Sequence, residues 1–386
     1  MDIISLDKEY VAGTYNRFPV AIVSGKGTLL TDAEGKQYID MGTGIGVTAF
    51  GSGDEQWVKA VTQQLEKVQH TSNLYYTEPC ARLAQLLCQK TGMKKVFFSN
   101  SGAEANECAI KYARKYSQEK KGAQYSTIIT LENSFHGRTL TTLAATGQEQ
   151  FHKLFQPLTP GFVHAKAGDI AGLYKLVEEN CVAGIMLECV QGEGGVVPLA
   201  PEFVKAAAAL CEEKDIPLMI DEVQTGNGRT GALYAYMHYG IHPDIVSTAK
   251  GLGGGLPIGA TMVSEKMQSM LSFGDHGSTF GGNPVCCAGA LSILSRLDDT
   301  FLAQVQQKSD YIFNALENAE GIESVTGKGL MIGIKTKKEA KEVVAACRQQ
   351  GVLCLTAKDK VRLLPPLNIP MDLLTQAVEV IKTACK

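Results

Sequence analysis

Four apolar runs, each too short for a helix and each ending in polar residues, constrain this chain more than anything else in it. They read KKVFFSNS (94–101), VAGIMLECV (182–190), IPLMIDEV (216–223) and DIVSTAK (244–250). Unbroken apolar runs of this length suit strands buried on both faces. Helical periodicity separates them: DEQWVKAVTQQLEKV from Asp54 to Val68, a helix from Ala103 and another from Pro201. STIITLENS and GFVHA add two strands, and IGATMVSEKM reads as an added strand closing the domain. The alternation predicts an α/β fold around a mostly parallel sheet covered on both faces. In such sheets a ligand sits beyond the carboxyl ends of the strands. Those ends here carry SNSG, ENSFHGR, ECVQGEGG, DEVQTG and AKGLGGG.

Before this region, VSGKGTLLTDAEGKQYID reads as short strands joined by a D-x-x-G turn at Asp32–Gly35. After FGGNPVCCAGALSIL the pattern changes to helix, then GKGLMIGIK, helix and RLLPPLNI, which predicts a smaller α/β C-terminal domain. The expected division is an N-terminal segment 1–45 packing with the small domain, a large ligand-binding domain 46–284 and the small domain 285–386.

Composition excludes several functions. The net charge of −3 leaves no basic surplus for nucleic acid, and no apolar run is long enough to span a membrane. Eleven cysteines are scattered without a C-x-x-C pair, which favours reduced thiols and a cytoplasmic setting; no signal peptide is visible. His238 and His242 lie four apart, but Gly240 and Pro243 break any helix that would align them. No metal site is expected.

Three features carry chemistry. In SNSGAEANECAIKYARKY, Ser101 and Glu104 form a capping box, and Ala105, Cys108, Ala109, Tyr112, Ala113 and Tyr116 follow on one helical face. A strand thus enters a helix through Ser101-Gly102-Ala103, where free N–H groups and the helix dipole favour phosphate. Capping boxes are common, and the plain reading is an ordinary helix start. Second, Asp221 ends an apolar strand, where a carboxylate is costly without an opposite charge or strong donors. Gly226, Gly228 and Gly231 after it satisfy G-x-G-x-x-G, the mark of a nicotinamide-dependent dehydrogenase. The first glycine, however, comes five residues after the strand, and no acidic residue follows at a second strand end, so that reading is poorly supported. Third, Lys250 is followed by five glycines within nine residues. A desolvated lysine amine attacks carbonyls, and glycines let a flat ring approach the backbone. For a lone lysine a solvated surface role is the ordinary reading. Amine, anion site and carboxylate together match the needs of pyridoxal 5′-phosphate: an anchor for its aldehyde, a cup for its phosphate, a partner for its ring nitrogen.

With SNSGAEANE, SFHGRT, QGEGGV, DEVQTGNGRTG, AKGLGGGLPIGA, GSTFGGNP and RLLPPLNI in this order, the chain resembles the fold-type I, class III pyridoxal-phosphate aminotransferases, in the acetylornithine and ornithine aminotransferase branch. The resemblance implies that Lys250 bonds the cofactor and moves the proton during transfer. It assigns Ser101, Gly102 and Ala103 to the phosphate, Phe135 to the ring face, Asp221 to the ring nitrogen, and Val223 and Gln224 to the cofactor's surroundings. Thr279, with Ser278 beside it as a substrate contact, would reach the neighbouring subunit's site, which implies a homodimer. Arg138 and Arg362 would bind substrate carboxylates, and Glu193 would gate Arg362. The implied reaction is ping-pong transfer of the δ-amino group between N2-acetylornithine and 2-oxoglutarate, as in arginine biosynthesis. Ornithine, succinylornithine and 4-aminobutyrate are the competing amino donors. One departure is the segment GVTAFGSGDEQW, Gly46 to Trp57, where relatives carry an LGHxHP-like stretch.

Overall fold

The computed structural model describes residues 2–386. Seven strands form the central sheet and are numbered in chain order: β1 (Lys95–Ser99), β2 (Thr127–Leu131), β3 (Phe162–Ala165), β4 (Val182–Leu187), β5 (Leu218–Asp221), β6 (Ile245–Thr248) and β7 (Gly259–Val263). Their spatial order is β1-β7-β6-β5-β4-β2-β3. The pairings from β6 through β3 are parallel, and β7 runs antiparallel to both β6 and β1. Every residue of β4 and β6 is buried, as continuous apolar runs require.

The strand read as closing the domain lies inside the sheet, between β1 and β6. All five residues of β7 are buried, and only an inner strand has neighbours on both sides to hide them. Its first residue must be small: a Cβ at Gly259 would clash with the Ser101 carbonyl oxygen. This contact brings β7 against the turn that leaves β1.

That turn starts helix α1 (Gly102–Lys121). The apolar positions expected on its inner stripe, from Ala105 to Tyr116, are all buried. Asn106 is buried among them. Helix Glu55–Leu65 starts at the Asp54 cap, whose carboxylate accepts from Trp57 N–H at 2.9 Å. The Trp57 indole then donates to the Gly253 carbonyl at 3.0 Å, tying the unusual 46–57 segment to the glycines after Lys250.

Two smaller sheets flank this body. Strands Ile22–Lys26, Leu29–Asp32 and Gln37–Asp40 pair in sequence, and Val352–Leu353 adds parallel to Gln37–Asp40. Strands Ile322–Lys328, Met331–Thr336, Lys360–Leu363 and Leu355–Ala357 form an antiparallel sheet that carries Arg362.

Between the first small sheet and the cavity described below, Thr43, Gly44, Ile45 and Gly46 all have positive φ, from 48° to 76°. This is one turn of left-handed chain, which costs about 1–2 kcal/mol for each non-glycine residue. Asp40 Oδ1 accepts from the Gly42 and Thr43 N–H groups at 2.9 and 2.8 Å, and Thr43 Oγ1 donates to the Leu364 carbonyl at 2.6 Å. These bonds hold the strained turn.

The G-x-G-x-x-G segment is no dinucleotide loop. After β5 it runs through buried coil into a short 3₁₀ turn, Ala235–Tyr239, with no α-helix N-terminus behind it. Arg229 within it donates to the Leu330 carbonyl at 3.1 Å and to the Pro365 carbonyl at 2.5 Å, so the segment clamps the C-terminal chain.

Candidate active site

The carboxyl ends of β1, β4, β5 and β6 surround a cavity of about 460 Å³. Its lining includes Ser101, Gly102, Ala103, Phe135, Arg138, Glu193, Asp221, Val223, Gln224 and Lys250, so most of the residues singled out in the sequence meet in one place.

Ser101 caps α1 by accepting from Glu104 N–H at 3.2 Å, and Glu104 Oε2 accepts from Asn100 N–H at 2.6 Å. The capping box leaves the N–H groups of Gly102 and Ala103 without helical partners at the positive end of the helix. Glycine is required at 102, because a Cβ there would lie 2.6 Å from Val223 Cγ1. The result is a cup of free donors suited to a phosphate.

Asp221 ends β5 and is buried. Its Oδ1 accepts from Val223 N–H at 2.9 Å; its Oδ2 accepts from Asn106 Nδ2 at 2.8 Å and lies 2.8 Å from His136 Nδ1. These donors replace the water the carboxylate has lost. Burial works to lower the imidazole pKa of His136, but its hydrogen bond to Asp221 and the charges of Asp221 and Glu188 prevail and raise it.

Lys250 follows β6, and its own φ is 46°. Left-handed lysine is a strained choice of the sort concentrated at working sites. Burial pulls its amine pKa down, against the opposing pull of Glu193 and Asp221. Desolvation thus favours the neutral, nucleophilic form.

At the cavity's rim Arg138 is exposed and has no ion-pair partner among the described residues. Its guanidinium stands 5.7 Å from the Phe135 ring centroid and 4.4 Å from that of Phe151, which fixes it without neutralising it. Arg362, only 3% exposed, comes from the C-terminal sheet and does not itself line the cavity; its Nη1 lies 2.6 Å from Glu193 Oε1 and 3.3 Å from Gln224 Oε1, which do. Its Nε is buried without a partner. Burial works to raise the Glu193 pKa, but the charge and hydrogen bond of Arg362, with the Lys250 charge and a Gln224 hydrogen bond, together hold the carboxyl below the usual range.

Ser278 and Thr279 do not line this cavity. Ser278 Oγ accepts from Asn100 Nδ2 at 3.1 Å and from Gly281 N–H at 2.9 Å, whereas Thr279 is exposed. Several lining residues escaped the sequence reading, and three illustrate why. Val47 comes directly after the left-handed turn, in the 46–57 segment. Glu188 follows β4 as Asp221 ends β5; its oxygens accept from Phe135 N–H at 2.9 Å and Gly192 N–H at 3.3 Å, and burial pushes its carboxyl up to about 7. The third, Asn106, is buried on α1 beside its apolar stripe, where nothing in the sequence marks its amide. His238, set aside above, bonds the Thr230 carbonyl through Nε2 at 3.0 Å. No cluster of metal-ligating residues occurs among the described residues.

Comparison with known proteins decides the family: the sequence profile described as aminotransferase class-III matches residues 10–385. The chain belongs to the class-III aminotransferases. An acetylornithine aminotransferase of Haemophilus ducreyi is 50% identical over 381 residues, covering 98% of this chain and 97% of that one. Another, from Methanocaldococcus jannaschii, is 43% identical over 392 residues, covering 99% and 98%. Among solved structures, the N-acetylornithine aminotransferase of Stenotrophomonas maltophilia superposes with a TM-score of 0.86 at 33% identity, covering 99% of this chain and 98% of that one. The ornithine aminotransferase of Toxoplasma gondii gives 0.95 at 30% identity, covering 99% and 94%. This class-III aminotransferase therefore has the fold expected from its strand pattern.

Proposed function

We propose that this aminotransferase uses pyridoxal 5′-phosphate to move the δ-amino group between N2-acetylornithine and 2-oxoglutarate. The observation that carries the reading is the meeting of a desolvated lysine amine, a buried carboxylate and a cup of free N–H groups in one cavity. The residues fit the cofactor: Gly102 and Ala103 would hold its phosphate, Phe135 and Val223 its ring, Asp221 its ring nitrogen and Lys250 its aldehyde. When bound, the cofactor supplies an electron-withdrawing ring that stabilises negative charge on the substrate carbon bearing the amino group.

This chain's own groups do the rest. Lys250 Nζ, its ammonium form disfavoured by burial, takes the proton from that carbon and returns one to the product. Arg138, unpaired at the rim, binds the α-carboxylate of the amino donor by a planar fork. Arg362 takes the second carboxylate of 2-oxoglutarate once Glu193 lets go, which explains how one cavity serves two substrates of different charge. The chain acts as a cytoplasmic homodimer; Thr279 and the exposed Tyr76 and Phe280 support the partner face, and eleven free cysteines support the reducing setting. Among the described residues no helix is long and apolar enough to cross a membrane. Residues 46–284 hold the cofactor, 285–386 bring Arg362, and 1–45 pack with the latter.

The test is reconstitution with pyridoxal phosphate, borohydride reduction and peptide mass mapping, followed by kcat/KM for acetylornithine, ornithine and 4-aminobutyrate against 2-oxoglutarate. An adduct at Lys250 and a preference for acetylornithine are expected. No adduct at position 250 would overturn the chemistry; a preference for ornithine would overturn the substrate.

A further inference from the structure

Asp221 faces the cavity with a carboxylate whose acceptor capacity is nearly used. A carboxylate offers about four lone-pair sites. Oδ2 takes two donors, Asn106 Nδ2 and His136 Nδ1, and Oδ1 takes one, Val223 N–H. One site on Oδ1 is left for a donor from the cavity. The direction of that site depends on what holds Oδ2 back.

Asn106 is the better determined of the two side chains on Oδ2. Its amide donates to Asp221 Oδ2 and to the His136 carbonyl, both at 2.8 Å, and its Oδ1 accepts from Ser247 Oγ at 2.5 Å. All three polar positions of the side chain are engaged, and residue and partners are buried. Two acceptor-only groups, Asp221 Oδ2 and the His136 carbonyl, decide which way the amide faces, and Ser247 holds it there from the other side. Were the amide flipped, its oxygen would face the Asp221 carboxylate and the His136 carbonyl, and each of the two would lose a donor. Asn106 also stands one turn, about 5.4 Å, along α1 from the cup at Gly102 and Ala103. One helix therefore carries both the anion cup and the side chain that turns the acid.

We propose that Asn106, oriented by Ser247, is a positioning residue that aims Asp221 Oδ1 at the ring nitrogen of bound pyridoxal phosphate. The inference rests on the cofactor reading given above. It differs from a packing role in what it predicts. A packing amide affects folding stability alone; a positioning amide changes how tightly the ring is held and how firmly its nitrogen is protonated.

The experiment uses the full chain stripped of cofactor and titrated with pyridoxal phosphate, read by visible absorbance. Asn106→Leu keeps the side chain's bulk and removes its polar atoms. Losing a hydrogen bond to a charged group predicts a dissociation constant weakened by about tenfold or more. The pH midpoint of the visible band moves upward, because a ring nitrogen less firmly protonated withdraws fewer electrons from the lysine-linked end. Ser247→Ala, the milder change and the one to rely on if Asn106→Leu does not fold, moves both readouts in the same direction by a smaller factor. The double variant is no worse than Asn106→Leu, since Ser247 acts through the amide. A folded variant with lowered thermal stability but wild-type affinity and band midpoint would overturn the inference, as would additive losses in the double variant. Failure of the wild-type chain to bind the phosphate ester would overturn the cofactor reading and this inference with it.

Discussion

Replacing Glu193 by glutamine separates the two tasks of the Arg362 pair. The wild-type contact is short, 2.6 Å, with the arginine closed off and the glutamate side chain 30% exposed. Two unit charges at about 4 Å with an effective dielectric of about 20 attract by roughly 4 kcal/mol, much of it offset by desolvation. Glutamine keeps an oxygen for Arg362 Nη1 but loses the charge, so the net change is about 1–2 kcal/mol, the difference between a charged and a neutral hydrogen bond. Without ligand the variant is less stable than wild type by that amount, because the guanidinium lacks a counter-charge. An incoming dicarboxylate no longer competes with Glu193, so 2-oxoglutarate binds about tenfold more tightly, the same energy in the other direction. Thermal melts with and without 2-oxoglutarate read both effects: a lower starting Tm and a larger ligand-induced rise. The folded Glu193 pKa lies below its ordinary 4.5, so the pair's contribution is complete above that value and disappears as pH falls through the lower one. Wild type and variant should converge in acid. Unchanged or weaker 2-oxoglutarate binding in the variant would refute the idea that Glu193 competes for Arg362.

Three further outcomes are expected. Gly102→Ala forces a Cβ to within 2.6 Å of Val223 Cγ1, so it weakens pyridoxal phosphate in an absorbance titration, while Val223→Ala in the same background restores part of the loss. Glu188 has its folded pKa raised to about 7, so its stabilising contribution is complete below 4.5 and lost as pH rises through 7; Glu188→Gln, measured without cofactor, matches wild-type Tm in acid and exceeds it above neutrality. Ile45 is 40% exposed at φ 65°, so Ile45→Gly relieves left-handed strain and raises the unfolding free energy by about 0.5–1 kcal/mol after the entropy that glycine adds to the unfolded chain, read as a higher urea midpoint.

Asp221 and Lys250 were legible because a charged residue closing an apolar strand has few explanations, and strand ends of a parallel sheet share one side. The Ser101 turn was legible because capping chemistry is local. Glu193 and Arg362 are different: 169 positions separate them, and no local pattern says that strand Lys360–Leu363 reaches the QGEGG loop. Only the resemblance joined them. Glu188 obeys the strand-end rule as well as Asp221 does, but no local pattern says that its oxygens accept from Phe135 and Gly192. Asn106 was hidden by its helix, where one amide among alanines looks like a tolerated defect until the carboxylate opposite is known. The place of β7 inside the sheet was not readable, because it is set by pairing with β1, far away in the chain. The left-handed turn at Thr43–Gly46 announces two glycines but not the isoleucine between them; tertiary bonds to Leu364 and Asp40 override local preference there.

The pairing of Ile39 with Val352 has a bearing on how the molecule is made. At ribosomal speeds of about 5–20 residues per second, Gln37–Asp40 emerges roughly 15–60 s before the segment that completes its sheet. Before that interval ends the layered body has emerged in full and can assemble, while the early strands still wait with an open edge. A nascent chain arrested shortly before Val352 should therefore hold a folded body with unpaired N-terminal strands, the state most in need of a chaperone.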